Sequence, residues 1–145
     1  MNKGLVATSK TEINASVEDV WKALTTPAII KQYLFGTETT TDWKLGSPIR
    51  FKGSWEGKEY EDKGTILEVQ PKKLLRYTYW SSMAGKPDVP ENYATVSYEL
   101  NHKSGVTVLT IVQDNNASPE SKEHSEKNWG TVLSSLKKIV ESAKK

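Results

Sequence analysis

Few residues in this sequence could do chemistry, and they are scattered. There is no cysteine, which removes disulfides, thiolate nucleophiles and thiolate metal ligands together. The two histidines are His102, in a segment read as a turn, and His124, on the polar part of a helical segment; both read as exposed to solvent. A zinc or iron site needs such ligands to converge, so no metal and no cofactor is expected. No Gly-x-Ser-x-Gly elbow occurs, no serine is tied to a histidine by a recognisable motif, and no glycine loop has a phosphate-cradling pattern. The carboxylates Glu59, Glu61 and Asp62 cluster, but a charged run of this kind reads as a solvated strand edge, with acid-base catalysis the sharper alternative. No catalytic residue is assigned.

The aromatic residues carry the stronger signal. Five Trp and six Tyr against two Phe is an unusual balance, because Trp and Tyr join a large apolar body to a polar atom that wants a partner. Period-two alternation turns Phe51, Trp55, Tyr77, Tyr79, Val96 and Tyr98 toward one side of a sheet. The same alternation turns Leu109, Ile111 and Gln113 inward, and helical spacing adds Trp129 and Leu133. These eleven residues are candidates to line a ligand cavity between sheet and helix, with Gln113, Thr107 and Arg76 as polar anchors; the competing reading is a solid core. Arg76, next to Tyr77, has the parity of the outer face. One bulge would exchange inward and outward sets.

The elements that must position these residues follow from the same patterns. Leu5 to Ile13 reads as a strand. Ser16 reads as an N-cap before Val17, Val20, Trp21 and Leu24, and Thr26-Pro27 opens a second short helix through Ile29, Ile30, Tyr33 and Leu34. Gly36 and the Thr37 to Thr41 run read as turn and extended chain. A hairpin is expected from Ile49–Trp55 and Tyr60–Val69, then a strand over Leu74–Trp80, a loop over Ser81–Pro90 and a strand over Tyr93–Leu100. Asn101–Gly105 reads as a turn and Val106–Gln113 as its partner strand. Ser118-Pro119-Glu120 opens a last helix whose first half is polar. Its second half carries Trp129, Val132, Leu133, Leu136 and Val140 on one stripe, with Ile139 beside them. The expected class is α+β, a single domain over residues 1–145: a curved antiparallel sheet of about six to seven strands around a long C-terminal helix, with two short helices after the first strand.

Lysines and arginines number 20 against 18 acidic residues, a net charge of +2, so no basic field exists to hold a nucleic-acid backbone. Met1 to Lys10 has no apolar run of the signal-peptide kind and no stretch is long and apolar enough for stable membrane insertion, so a cytoplasmic protein is expected.

Four stretches, in order and spacing, carry a family likeness: Ala15 to Trp21 with Leu24-Thr25 and Pro27; Gly46 to Phe51; Gly64 to Pro71 with Leu74 and Tyr77; and Asn128-Trp129-Gly130 with Leu133 and Leu136. Together they resemble the family of homologues of the activator of heat-shock-protein-90 ATPase, within the START and birch-pollen-allergen superfamily. The sequence departs from the family pattern at Tyr33-Leu34 and Gln113. The resemblance implies a helix-grip fold and a pocket, since this scaffold serves lipid carriers, metabolite binders, cyclases and chaperone regulators; it does not imply a reaction. The expected function is non-enzymatic binding of a small hydrophobic or amphipathic molecule, lipid-like or polycyclic, in a cavity under the last helix. The alternatives are a protein-interaction module with a chaperone partner, and a cyclase-like enzyme.

Overall fold

The computed structural model describes residues 4–34, 36–55, 57–81, 86–116 and 118–143, with the side chains of Trp55 and Ala143 also outside the description. Ser16 caps the first helix through its hydroxyl, which accepts from the Asp19 amide, and proline at the first position starts the second. The elements run β1 (Leu5–Ile13), α1 (Val17–Thr25), α2 (Pro27–Tyr33), β2 (Glu38–Thr40), β3 (Pro48–Trp55), β4 (Lys58–Gln70), β5 (Leu74–Tyr79), β6 (Ala94–Lys103), β7 (Val106–Asn116) and α3 (Pro119–Ala143). Seven strands form one antiparallel sheet in the order β1-β7-β6-β5-β4-β3-β2, and α3 packs its apolar stripe on one face of it. This is the helix-grip α+β arrangement that the sequence leads one to expect.

Alternation decides which face is buried. Ala7 and Ile13 on β1, Ile49 and Phe51 on β3, Val96, Tyr98 and Leu100 on β6, and Thr107, Leu109 and Ile111 on β7 all turn inward. They meet Val132, Leu133, Leu136 and Val140 of α3, each at most 6% exposed, while Val20, Leu24, Ile30 and Tyr33 of the short helices close one end of the core.

Three local details differ from the sequence reading. Thr37 to Thr41 contains a short strand, because Thr39 pairs with Phe51 and points inward. β6 continues through Lys103 rather than ending at Leu100, and the turn narrows to Ser104-Gly105, both at positive φ (47° and 85°), the geometry of a tight hairpin whose twist matches its strands. β7 continues to Asn116 through a bulge: Ala7 faces Gln113 but Leu5 faces Asn116, and Asn115 takes a left-handed backbone with φ 57°.

β4 bends over β5 for a steric reason. At Gly64 a Cβ would lie 1.6 Å from the Thr78 carbonyl oxygen, so only glycine lets the two strands approach this closely. Beyond it the register shifts between Ile66 and Glu68, leaving Leu67 on the outer surface.

The outer edge of β1 is closed by α3 side chains. Glu126 accepts from the Thr8 amide, Glu141 accepts from the Asn14 amide, and Lys137 Nζ donates to the Glu12 carbonyl. Backbone groups that an edge strand leaves open are thereby occupied.

Candidate functional site

Inward parity on β3, β5 and β6 brings aromatic rings into a row. Phe51 lies 5.8 Å (centroid to centroid) from both Tyr77 and Tyr79, Tyr77 lies 5.6 Å from Tyr98, and Tyr98 lies 6.1 Å from Trp129 on α3. The edge-to-face geometry of most of these pairs is the one ring quadrupoles favour. Their polar atoms are tied within the row: the Tyr77 and Tyr98 hydroxyls share a hydrogen bond of 2.8 Å, and the Trp129 indole N–H donates to Gln113 Oε1 at 2.7 Å.

Beside this row α3 and the sheet do not close on each other. A cavity of about 780 Å³ remains between them, with Phe51, Tyr77, Tyr79, Trp129 and Val132 among its apolar walls. Thr37, Tyr60, Asp62 and Gln113 add polar groups. Asn92, Asn115, His124 and Asn128 stand nearer the solvent-facing mouth. A hollow of about 720 Å³ on the outer surface lies between the start of α1, the β4–β5 turn and the end of β6, mixes apolar residues such as Val17 and Leu74 with charged and polar ones, and reaches none of the inner rings.

Of the eleven candidates, Phe51, Tyr77, Tyr79, Gln113 and Trp129 line this cavity. Tyr98 stands behind the wall, touching it through Tyr77 and Trp129. Val96, Leu109, Ile111 and Leu133 are sealed in the packed core at 2% exposure or less and are not among the lining residues. Leu109 and Ile111 pack against Leu133 in the core away from the β6 start and β7 end, where the cavity opens, and Val96 is covered between its register partners Tyr77 and Gln113, which form the wall there. The backbone of Trp55 ends β3, and its side chain falls outside the described residues. Thr107 is no anchor, since its hydroxyl is fully buried and donates to the Ala15 carbonyl. Arg76 faces outward, bonded to Ser97 and Glu68.

Asp62 corrects the sequence reading most. β4 is an interior strand, not an edge, and Asp62 shares the inward parity of Tyr60 and Ile66, so it is 6% exposed while Glu59 remains in solvent. The Tyr79 hydroxyl donates to its Oδ2 at 2.6 Å. Burial first, then the charge of Asp62, pushes the Tyr79 hydroxyl well above its ordinary range. Burial does the same to Tyr77, and raises Tyr98 to about 12. The signal for Asp62 was present in the alternation Tyr60, Asp62, Gly64, Ile66; the cluster of neighbouring charges hid it. His124, expected in solvent, is exposed but stands at the cavity mouth, and Asn115 reaches the wall only because of the β7 bulge.

Asp88, Lys63 and Tyr93 gather around Trp80, the one of the four that lines the cavity. Lys63 Nζ and the Tyr93 hydroxyl each bond Asp88 at 2.5 Å and hold its carboxyl below the usual range. The Trp80 ring stacks on Tyr93, and its indole N–H is shared by the Lys86 and Pro87 carbonyls. Asn115 fixes the far side through the Glu91 and Tyr93 carbonyls.

Among the described residues no three histidine or carboxylate side chains gather as a metal site, and no helix is long and apolar enough to cross a membrane. Residues 14–141 match the family described as Activator of Hsp90 ATPase homolog 1-like protein. No curated protein matches the sequence significantly. Among solved structures the chain is similar to ChR145 from Cytophaga hutchinsonii, with 48% identity, 99% of this chain and 98% of that one covered, and a TM-score of 0.85. Two more distant structures share the fold. The Aha1 dimer from Colwellia psychrerythraea has 19% identity, TM-score 0.72 and coverage of 94% and 96%. CalU16 from Micromonospora echinospora has 18% identity, TM-score 0.72 and coverage of 97% and 86%.

Proposed function

The chain belongs to the Activator of Hsp90 ATPase homolog 1-like family, and from that premise we propose that it binds a small hydrophobic or amphipathic molecule in the cavity between its sheet and α3, without chemical turnover. The observation that carries this reading is the aromatic-walled space of about 780 Å³, within the range of pockets that enclose drug-sized ligands. The composition of its lining supports it too: rings and Val132 form most of the wall and a few polar groups, Thr37, Asp62 and Gln113 among them, interrupt it, an arrangement that suits a ligand with an apolar body and a polar group. Ordering such a wall without a ligand would leave ring surface poorly packed.

The test is a titration of the isotope-labelled protein with lipids and polycyclic aromatics, followed by NMR. Saturable shifts centred on Phe51, Tyr77, Tyr79 and Trp129 are expected; a panel that leaves every one of these resonances unmoved contradicts the reading. The proposal treats residues 1–145 as one domain acting in the cytoplasm, a setting compatible with the absence of cysteine.

A second reading, partnership with a chaperone of the kind in the family's description, is favoured by the first half of α3, where Glu120, Glu123 and Lys127 are exposed. An unchanged ATPase rate of a purified Hsp90-type chaperone on addition of the protein, with no co-elution, would set it aside.

A further inference from the structure

Among the described residues that line the cavity, Asp62 is the one carboxylate, and it lies on the inner face rather than at the rim. Placing a carboxylate among rings is costly unless its oxygens are hydrogen-bonded. Tyr79 supplies one such bond at 2.6 Å, and because burial and the adjacent charge keep its hydroxyl protonated, that donor persists at every physiological pH. A carboxylate offers about four acceptor positions, so it can hold an ammonium group beside partners such as Tyr79.

The surfaces around Asp62 are ring surfaces. Phe51 is its direct partner across the β3–β4 ladder, Tyr79 packs 5.8 Å from Phe51, and Tyr60 follows along the same face of β4. Ring faces carry negative electrostatic potential, so they attract a cation that a carboxylate also attracts. The basic residues of the lining, Lys86 and His124, are both exposed to solvent. Charge is therefore sorted by depth, negative inside and positive at the mouth.

We propose that the cavity selects a cationic amphiphile, a protonated amine borne on an aromatic or alkyl body, with its ammonium group seated at Asp62 among the Phe51, Tyr60 and Tyr79 rings and its apolar body against Tyr77 and Trp129. This rests on the ligand-binding function proposed above and narrows it to a chemical class.

The experiment uses a matched pair, naphthylethylamine and naphthylethanol, titrated calorimetrically into the wild-type protein and into Asp62→Asn at neutral pH. The wild type should bind the amine about ten- to a hundredfold more tightly than the alcohol, the range of a charge-assisted hydrogen bond. Asp62→Asn, which keeps the shape and an acceptor for Tyr79, should lose that preference and retain the alcohol affinity. Equal binding of the two probes by the wild type overturns the inference while leaving an apolar ligand site in place, and this comparison decides even if the variant does not fold. A preference that survives in Asp62→Asn overturns it as well. Failure of both probes to bind overturns the inference together with the function it rests on.

Discussion

Individual side chains set the pH limits of this molecule. Burial raises the folded-state pKa of Tyr33, Tyr77 and Tyr98 above the ordinary value of 10.0, Tyr98 to about 12. A raised value means that the stability these protonated hydroxyls lend is complete below about pH 10 and is lost as pH climbs toward about 12. The expected outcome is alkaline unfolding in that window, with the tyrosinate absorbance of the core rings appearing together with loss of near-ultraviolet circular dichroism rather than ahead of it. At the acid end Asp88 behaves oppositely. Lys63 and Tyr93 lower its carboxyl below 3.8, so the contact of these three residues is intact above the ordinary carboxylate range and is lost only as pH falls through that lowered value. The Trp80 indole resonance should hold its position down to below pH 3.8 and then move, and in Asp88→Asn it should be displaced already at neutral pH. Residue parity was the most legible feature of the sequence: it turned Phe51, Tyr77, Tyr79 and Tyr98 inward and Arg76 outward, as the structure does. What parity could not reveal is how far along each strand the helix ceases to touch the sheet, which separates the wall residue Trp129 from the core residues Ile111 and Leu133.

At the scale of elements, two features shape the sheet and protect it. Gly64 permits the close passage of β4 over Thr78, so Gly64→Ala must displace backbone rather than a mobile side-chain end. A loss of roughly 3 kcal/mol or more in urea denaturation is expected, and a change below about 1 kcal/mol would show that the strands can separate freely. The β1 edge is held shut by Glu126, Lys137 and Glu141, so Glu126→Ala should speed hydrogen exchange at the Thr8 amide and leave the Asn14 amide unchanged. α1, α2 and α3 announced themselves through caps, prolines and apolar stripes, local signals that act within a few residues. β2 and the end of β7 did not. Three threonine-rich residues become a strand because Phe51 is there to pair with, and the β7 bulge depends on its partners Leu5 and Ala7, more than a hundred positions earlier in the chain. Asp62 was masked in the same way, since only the position of β4 between β3 and β5 makes its side an interior.

For the whole molecule, a core that would be sufficient for folding coexists with a space that folding does not require. Leu136, fully buried where α3 crosses the sheet, belongs to the first: Leu136→Ala should cost about 2–5 kcal/mol. Val132 belongs to the second. It is 6% exposed yet lines the cavity, and Val132→Phe, which directs a ring into that space, should displace ligand with a stability change of less than about 1.5 kcal/mol. The contrast separates residues that hold the fold from residues that hold its contents. It is tested most directly by native mass spectrometry of the protein purified from its own host, with extraction and identification of whatever travels with it. The account predicts one small molecule per chain, with an apolar body and an amine, retained by the wild type and absent from Val132→Phe. A wild-type protein that is empty from its host and stays empty when offered such amines would contradict it.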